Sequence, residues 1–199
     1  MIGLDFAFSL PLWYLQEVGI TSAPSLWQHV ANVGEHWLEQ CAPPWWGRKG
    51  APKPLLAEHF RQCELELRRN GVMPKSSFQI GGAGSVGTGS LRGMPLLHRL
   101  HQAGARVWPF DAPGWPLVLE IYPRLLTGPV IKSNAQARAA YIEARMPELA
   151  GWQVPSDDAF DAAVSAVVMA KHADELAALH AVQDAQCRLE GAIWHPGWR

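Results

Sequence analysis

The chain has 199 residues, of which 48% are hydrophobic and 18% charged. That balance excludes a disordered chain and predicts one domain, residues 1–199, able to bury roughly 70% of its unfolded surface. A formal net charge of −1 excludes a global attraction for nucleic acid, so such a partner needs a local basic patch or a metal ion.

Cys41, Cys63 and Cys187 are odd in number and widely spaced, which is not a disulfide framework and favours a reducing compartment. No apolar run approaches the ~18 residues of a membrane-spanning helix. Met1-Ile2-Gly3-Leu4-Asp5 lacks the basic start of a signal peptide, so the expectation is a cytoplasmic protein with no membrane partner.

In chain order, Ile2 to Phe8 reads as a buried strand and Pro24 to Cys41 as a helix opening near Ser22. Cys41 to Pro54 carries Pro43-Pro44-Trp45-Trp46-Gly47 and the cations Arg48, Lys49 and Lys53, the composition of a loop acting as a flap. Leu55 to Arg69 is helical, Ser76 to Ile80 a short strand, Gly81 to Ser90 a glycine-rich loop and Leu91 to Gln102 a helix. Arg106 to Phe110 and Leu117 to Tyr122 are strands, and Ser133 to Met146 and Asp157 to Leu179 are helices. The tail, Gly191 to Trp194, is an edge strand or docked coil. Strands alternating with helices predict an α/β fold with a mainly parallel sheet covered on both faces.

Acidic residues in apolar surroundings are the most telling feature. Glu120 lies inside Leu117-Val118-Leu119-Glu120-Ile121-Tyr122, where a lone carboxylate costs several kcal/mol, to an order of magnitude, unless paired. It is either salt-bridged, for example to Arg124, or functional. Asp5 poses the same question, although an Asp near a strand end also organises turns. Ser156 is a suitable helix N-cap, and Asp157 and Asp158 suit the first turn. Asp161, further along the same face as Asp158, is not explained in that way. Strand and helix carboxylates converging on one point would suit Mg²⁺ or Mn²⁺.

Gly82-Ala83-Gly84-Ser85-Val86-Gly87 satisfies G-x-G-x-x-G, with Asp111 about 24 residues further on, as a dinucleotide-binding fingerprint requires. Gly89, Gly93 and Pro95 make poor opening turns for the helix that would hold a pyrophosphate. The same segment is a relaxed nucleophile elbow around Ser85, with Asp157 and His172 or His195 in hydrolase order. His98 and His101 lack zinc spacing and read as surface or interface residues. Arg61 and Glu64 form a local pair, or Arg61 holds a phosphate.

Gly3-Leu4-Asp5-Phe6-Ala7-Phe8-Ser9-Leu10-Pro11, Phe60-Arg61-Gln62-Cys63-Glu64 and Ser77 to Gly87 carry a resemblance, as do Trp108-Pro109-Phe110-Asp111, Glu120-Ile121-Tyr122-Pro123-Arg124 and Asp158 to Ala163. Taken in order, these segments resemble the family called domain of unknown function 429, described as nucleases with an RNase H-like fold. The resemblance implies an RNase H-like sheet and metal ligands at Asp5, Glu120 and Asp161, with Asp158 beside them. It departs from the family at the N-terminus, where a further acidic strand and a hairpin are expected. About 50 residues would then be absent, a figure from usual strand lengths.

Three functions follow as expectations. The first is an Mg²⁺- or Mn²⁺-dependent phosphodiesterase with Asp5, Glu120 and Asp161 as catalytic groups, inactive if the missing acid is essential. Arg61, Ser77, Gly84, Ser85 and Gly87 would lie near substrate phosphate, and nucleic acid would be the partner. The second is a nucleotide- or dinucleotide-binding module at residues 82–87. The third is a non-catalytic interaction domain, forming an oligomer through an exposed sheet edge.

Overall fold

Three of the runs read as strands, those opening at Ile2, Arg106 and Leu117, are longer than the strands they form. The computed structural model describes residues 1–54 and 57–198, and its elements in chain order are β1 (Ile2–Leu4), α1 (Leu12–Glu17), α2 (Ala23–Gln40), α3 (Gln62–Arg69), α4 (Val86–Gln102), β2 (Arg106–Trp108), β3 (Leu117–Glu120), α5 (Pro123–Thr127), α6 (Ala135–Arg145), α7 (Asp157–Lys171), α8 (Ala173–Ala177) and α9 (Cys187–Glu190). The fold is thus mixed α/β, mostly helical, with one small sheet. The chain divides into two compact units, residues 1–120 with 180–193 and residues 121–179 with 194–199.

The first unit holds the sheet, ordered β1-β3-β2 with every pairing parallel. β3 lies in the centre and all four of its residues are buried, which is why its apolar run is nearly unbroken. β1 and β2 each pair on one side only, so both are edges among the described strands. Residues 109–116 join β2 to β3, a shorter link than the dozen or so residues usual between parallel neighbours. Asp111 makes this possible. Its carboxylate accepts from the Val107 N–H at 2.9 Å, its own N–H donates to the Val107 carbonyl at 3.0 Å, and Arg106 N–H donates to the Pro116 carbonyl at 2.8 Å.

Ser22 caps α2 by accepting from the Ser25 N–H, and Pro24 occupies the first turn, as the sequence suggested. α2 packs on α4, with Gly34 set against the Leu91 carbonyl. The core of this unit gathers Phe8, Leu10, Trp27, Phe78, Leu91, Leu97, Val107 and Val118. Trp27 satisfies its one donor on the Phe8 carbonyl at 2.8 Å.

Three expectations change here. The expected helix from Leu55 is instead a 3₁₀ turn at Ala57–His59 followed by α3; Leu55 and Leu56 lie outside the described residues. Ser76 to Ile80 is not a strand but makes one parallel bridge, Trp46 to Gln79. Helix α4 starts at Val86, inside the glycine-rich segment, and carries Pro95 in its interior. Buried Leu91, Met94 and Leu97 make the packing that outweighs the hydrogen bond a proline removes.

The glycines are required by backbone crossings. A Cβ on Gly81 would strike the Gly47 carbonyl and the Arg48 nitrogen, where the two segments pass through the Trp46–Gln79 bridge. A Cβ on Gly87 would strike the Ser77 carbonyl and come within 2.9 Å of the Gln79 carbonyl. Gly89, on the same helix, faces open space.

The second unit is helical. Ser156 caps α7 by accepting from the Ala159 N–H at 3.1 Å. α5 packs on α7, and Tyr141 of α6 meets Phe160 edge-on at 5.2 Å between ring centres. Buried Arg138 donates to the carbonyls of Lys132 and Pro155. The single helix expected to Leu179 breaks at His172, whose φ of −106° and ψ of 26° leave helical geometry. Trp194, in the tail, makes one parallel bridge to Ile121.

Gly87→Ala should lower stability by about 1–3 kcal/mol through forced displacement of the Ser77 segment. Gly89→Ala should raise it by roughly 0.5–1 kcal/mol, because the helix gains and nothing is struck. Urea denaturation midpoints of the two variants check this opposed pair.

Candidate functional site

Glu120 closes β3, and its register partner is Leu4, so Asp5 follows directly on the neighbouring strand. Two of the predicted acids are therefore at the carboxyl end of one parallel sheet, where ligands of α/β folds collect. Their environments differ. Asp5 is exposed just past β1, whereas Glu120 is 3% exposed.

Glu120 is held by Arg61, itself 1% exposed. The guanidinium grips the carboxylate as a fork, with one terminal nitrogen 2.8 Å from Oε2 and the other 2.5 Å from Oε1. The Phe8 N–H adds a third donor to Oε2 at 2.9 Å. Arg61 spends its remaining donors on Glu64 Oε1 at 3.0 Å and the Glu190 carbonyl at 3.1 Å. The Arg61 N–H donates to Glu64 Oε2, the returning half of a capping box on α3. Glu190, 3% exposed, takes the Leu12 N–H on Oε1 and the Gln62 N–H on Oε2, both at 2.6 Å. It therefore caps the first turns of α1 and α3 together.

This cluster sets three carboxylates against one guanidinium. Burial opposes the charge on Arg61, but the neighbouring Cys63, Glu120 and Glu64 hold its pKa well above the ordinary arginine value. Burial raises the pKa of Glu64, and Arg61 only partly offsets that.

The other predicted residues are placed as follows. Asp158 is exposed in the first turn of α7. Asp161, in the same unit, takes the Lys132 ammonium on Oδ2, while its buried Oδ1 has no hydrogen-bond partner. Among the described residues, no group of three His, Cys, Asp or Glu side chains is arranged to hold a metal ion. Ser77 is fully buried and its Oγ is unpartnered.

In the glycine segment Gly84 has φ +72° and Ser85 stands before α4 without capping it. The first amides of α4 are already donated, Val86 to the Gly84 carbonyl, Gly87 to Gln79 and Thr88 to Ser85. Those are the donors a phosphate would use at a helix N-terminus. Asp111 closes the β2–β3 link, with His101 Nε2 at 3.2 Å from its other oxygen. His172 pairs with Glu175 at 2.7 Å on its own turn.

Of the two readings of Glu120, the salt bridge forms, but not with Arg124, the cation offered as an example. Arg124 donates to the Gly128 carbonyl, and Arg61, distant in sequence, takes the carboxylate. Glu190 was missed because it stands before an apolar run, Ala192-Ile193-Trp194, and not inside one as Glu120 does. The proline- and tryptophan-rich segment from Cys41 to Pro54, expected as a flap, lines a cavity of about 520 Å³ within the first unit.

Compared with known proteins, the chain is matched by no family model, no curated protein and no solved structure.

Arg61→Ala should lower stability by about 3–5 kcal/mol, since it strands Glu120 in the interior; chemical denaturation measures this. A second outcome concerns pH. With its folded pKa raised above the ordinary 4.5, Glu64 contributes stability that is full below 4.5 and lost as pH rises through the folded value. Glu64→Gln should flatten that decline in midpoints measured upward from pH 4.5.

Proposed function

We propose that this protein is a non-catalytic binding domain in which Arg61 supplies the charge that neutralises Glu120. The observation that carries this reading is the buried fork, because both carboxylate oxygens are taken by donors of the protein itself. A hard cation needs those oxygens free and would face a guanidinium within hydrogen-bonding distance. The residues around Glu120 therefore do not fit Mg²⁺ or Mn²⁺. The spent amides of α4 likewise weigh against nucleotide phosphate at residues 82–87.

A second reading keeps an RNase H-like, metal-dependent phosphodiesterase acting on nucleic acid. One observation favours it, the buried and unpartnered Asp161 Oδ1. On that reading Asp161, with Asp158 near it in sequence, would hold the ion. Cytoplasmic placement suits either reading, since all three cysteines are free thiols. No helix among the described residues is long and apolar enough to cross a membrane. The unpaired sides of β1 and β2 are where self-association through a sheet edge would occur.

The binding-domain reading expects no cleavage of branched, hybrid or single-stranded nucleic acid with Mg²⁺ or Mn²⁺, and no thermal shift with either ion, NAD or ATP. Metal-dependent cleavage that Asp161→Asn abolishes would replace it with the second reading.

A further inference from the structure

One buried side chain orients the loop before α4. Gln79 Nε2 donates to the carbonyls of Gly81 and Ala83, at 3.3 and 3.1 Å, and holds both oxygens on its own side. These peptides are trans, so each N–H opposes its C=O, and the N–H groups of Gly82 and Gly84 point away from Gln79. Both glycines are exposed, and neither amide donates to a protein group among the described residues. The first amides of α4 are spent. These two are not.

Cations flank this loop at both ends. Where the chain crosses itself at Gly47 and Gly81, a Cβ on Gly81 would come within 2.9 Å of the Arg48 nitrogen. At the other end, a Cβ on Gly84 would rest on the Lys75 stem, 3.5 Å from its Cε. Lys49 follows Arg48, and the Lys53 ammonium lies over Trp46, the bridge partner of Gln79. All four cations are exposed, and Arg48, Lys49 and Lys75 form no ion pair among the described residues. Between them in sequence, Gly50, Ala51 and Pro52 line the cavity of about 520 Å³. Glu17 is the one acid in that lining, and it repels a second carboxylate, so the cavity suits an apolar side chain.

Resting on the binding-domain reading above, we infer that this face of the first unit docks an acidic peptide segment of a partner protein. Its carboxylates meet Arg48, Lys49, Lys75 and the two spare amides, and one apolar side chain enters the cavity. Charge complementarity selects the acidic partner. Cations at both ends of the loop match a run of carboxylates better than one small anion. Nucleic acid carries the same sign of charge, but Trp45 and Trp46 are buried and offer no face on which bases could stack.

The test is fluorescence anisotropy of a labelled synthetic peptide, one leucine between two runs of glutamate, titrated with the full chain. Exchanging its glutamates for glutamine should weaken binding about tenfold, the sum of several exposed pairs. Exchanging its leucine for serine should weaken it by about tenfold as well, the loss of a buried apolar side chain. Arg48→Ala and Lys75→Ala, both at exposed positions, should each cost about two- to fivefold. Arg99→Ala, exposed near the other end of α4, should leave the affinity unchanged. Equal binding of the glutamine or serine peptide, indifference to Lys75→Ala, or an equal loss in Arg99→Ala overturns the inference. Tighter binding of single-stranded or duplex DNA of matched charge overturns the assignment to a peptide. Absence of peptide binding sinks the inference and leaves the binding-domain reading standing. Metal-dependent cleavage of nucleic acid defeats that reading, while the anisotropy still decides what this face binds.

Discussion

The bidentate ion pair between Arg61 and Glu120 is the constraint around which the first unit is arranged. It joins the end of the central strand to the start of α3, and through the Phe8 N–H and the Glu190 carbonyl it reaches the segment after β1 and the end of α9. A pair this buried is poor evidence of stability in itself, because desolvation consumes much of the attraction. Its value is geometric. A planar guanidinium with every donor committed accepts only one arrangement of the four segments that meet there.

Electrostatics then explains why Glu190 sits where it does. One arginine cannot balance three buried carboxylates. Glu190 instead takes the first amides of α1 and α3, where two helix N-termini offer partial positive charge of about half a unit each in the ideal case. Both helices are short, so the compensation is incomplete. Burial raises the Glu64 pKa, so the carboxyl whose charge is most costly there lies beside the guanidinium that offsets part of that cost.

Local signals in the chain foretold much of this, and the failures have a common cause. The caps at Ser22 and Ser156 and the parallel character of the sheet are written in short-range patterns. Glu120 was recognisable as a buried acid because its neighbours are apolar. Its partner was not, since Arg61 and Glu120 meet only through the tertiary fold, and the nearest arginine in sequence was the wrong one. The glycine motif misled in a related way. Its last glycine, Gly87, permits a backbone crossing with Ser77, as Gly81 just before the motif permits one with Gly47, and spacing alone cannot separate that need from the close approach of a phosphate. α4 also starts earlier than Gly89, Gly93 and Pro95 suggested, because packing against α2 outweighs propensity.

The ion-pair cluster and the tryptophan-lined cavity are parts of one construction. Glu190 fixes the first turn of α1, and α1 carries Trp13 near its start and Glu17 at its end. Arg61 anchors the start of α3, two residues beyond His59, which also lines the cavity. The Trp13 to Glu58 hydrogen bond ties α1 to the residue before His59. Glu190, by taking the first amides of α1 and α3 together, holds those two helices in a fixed relation, and α1 in turn brings Trp13 and Glu17 to the cavity.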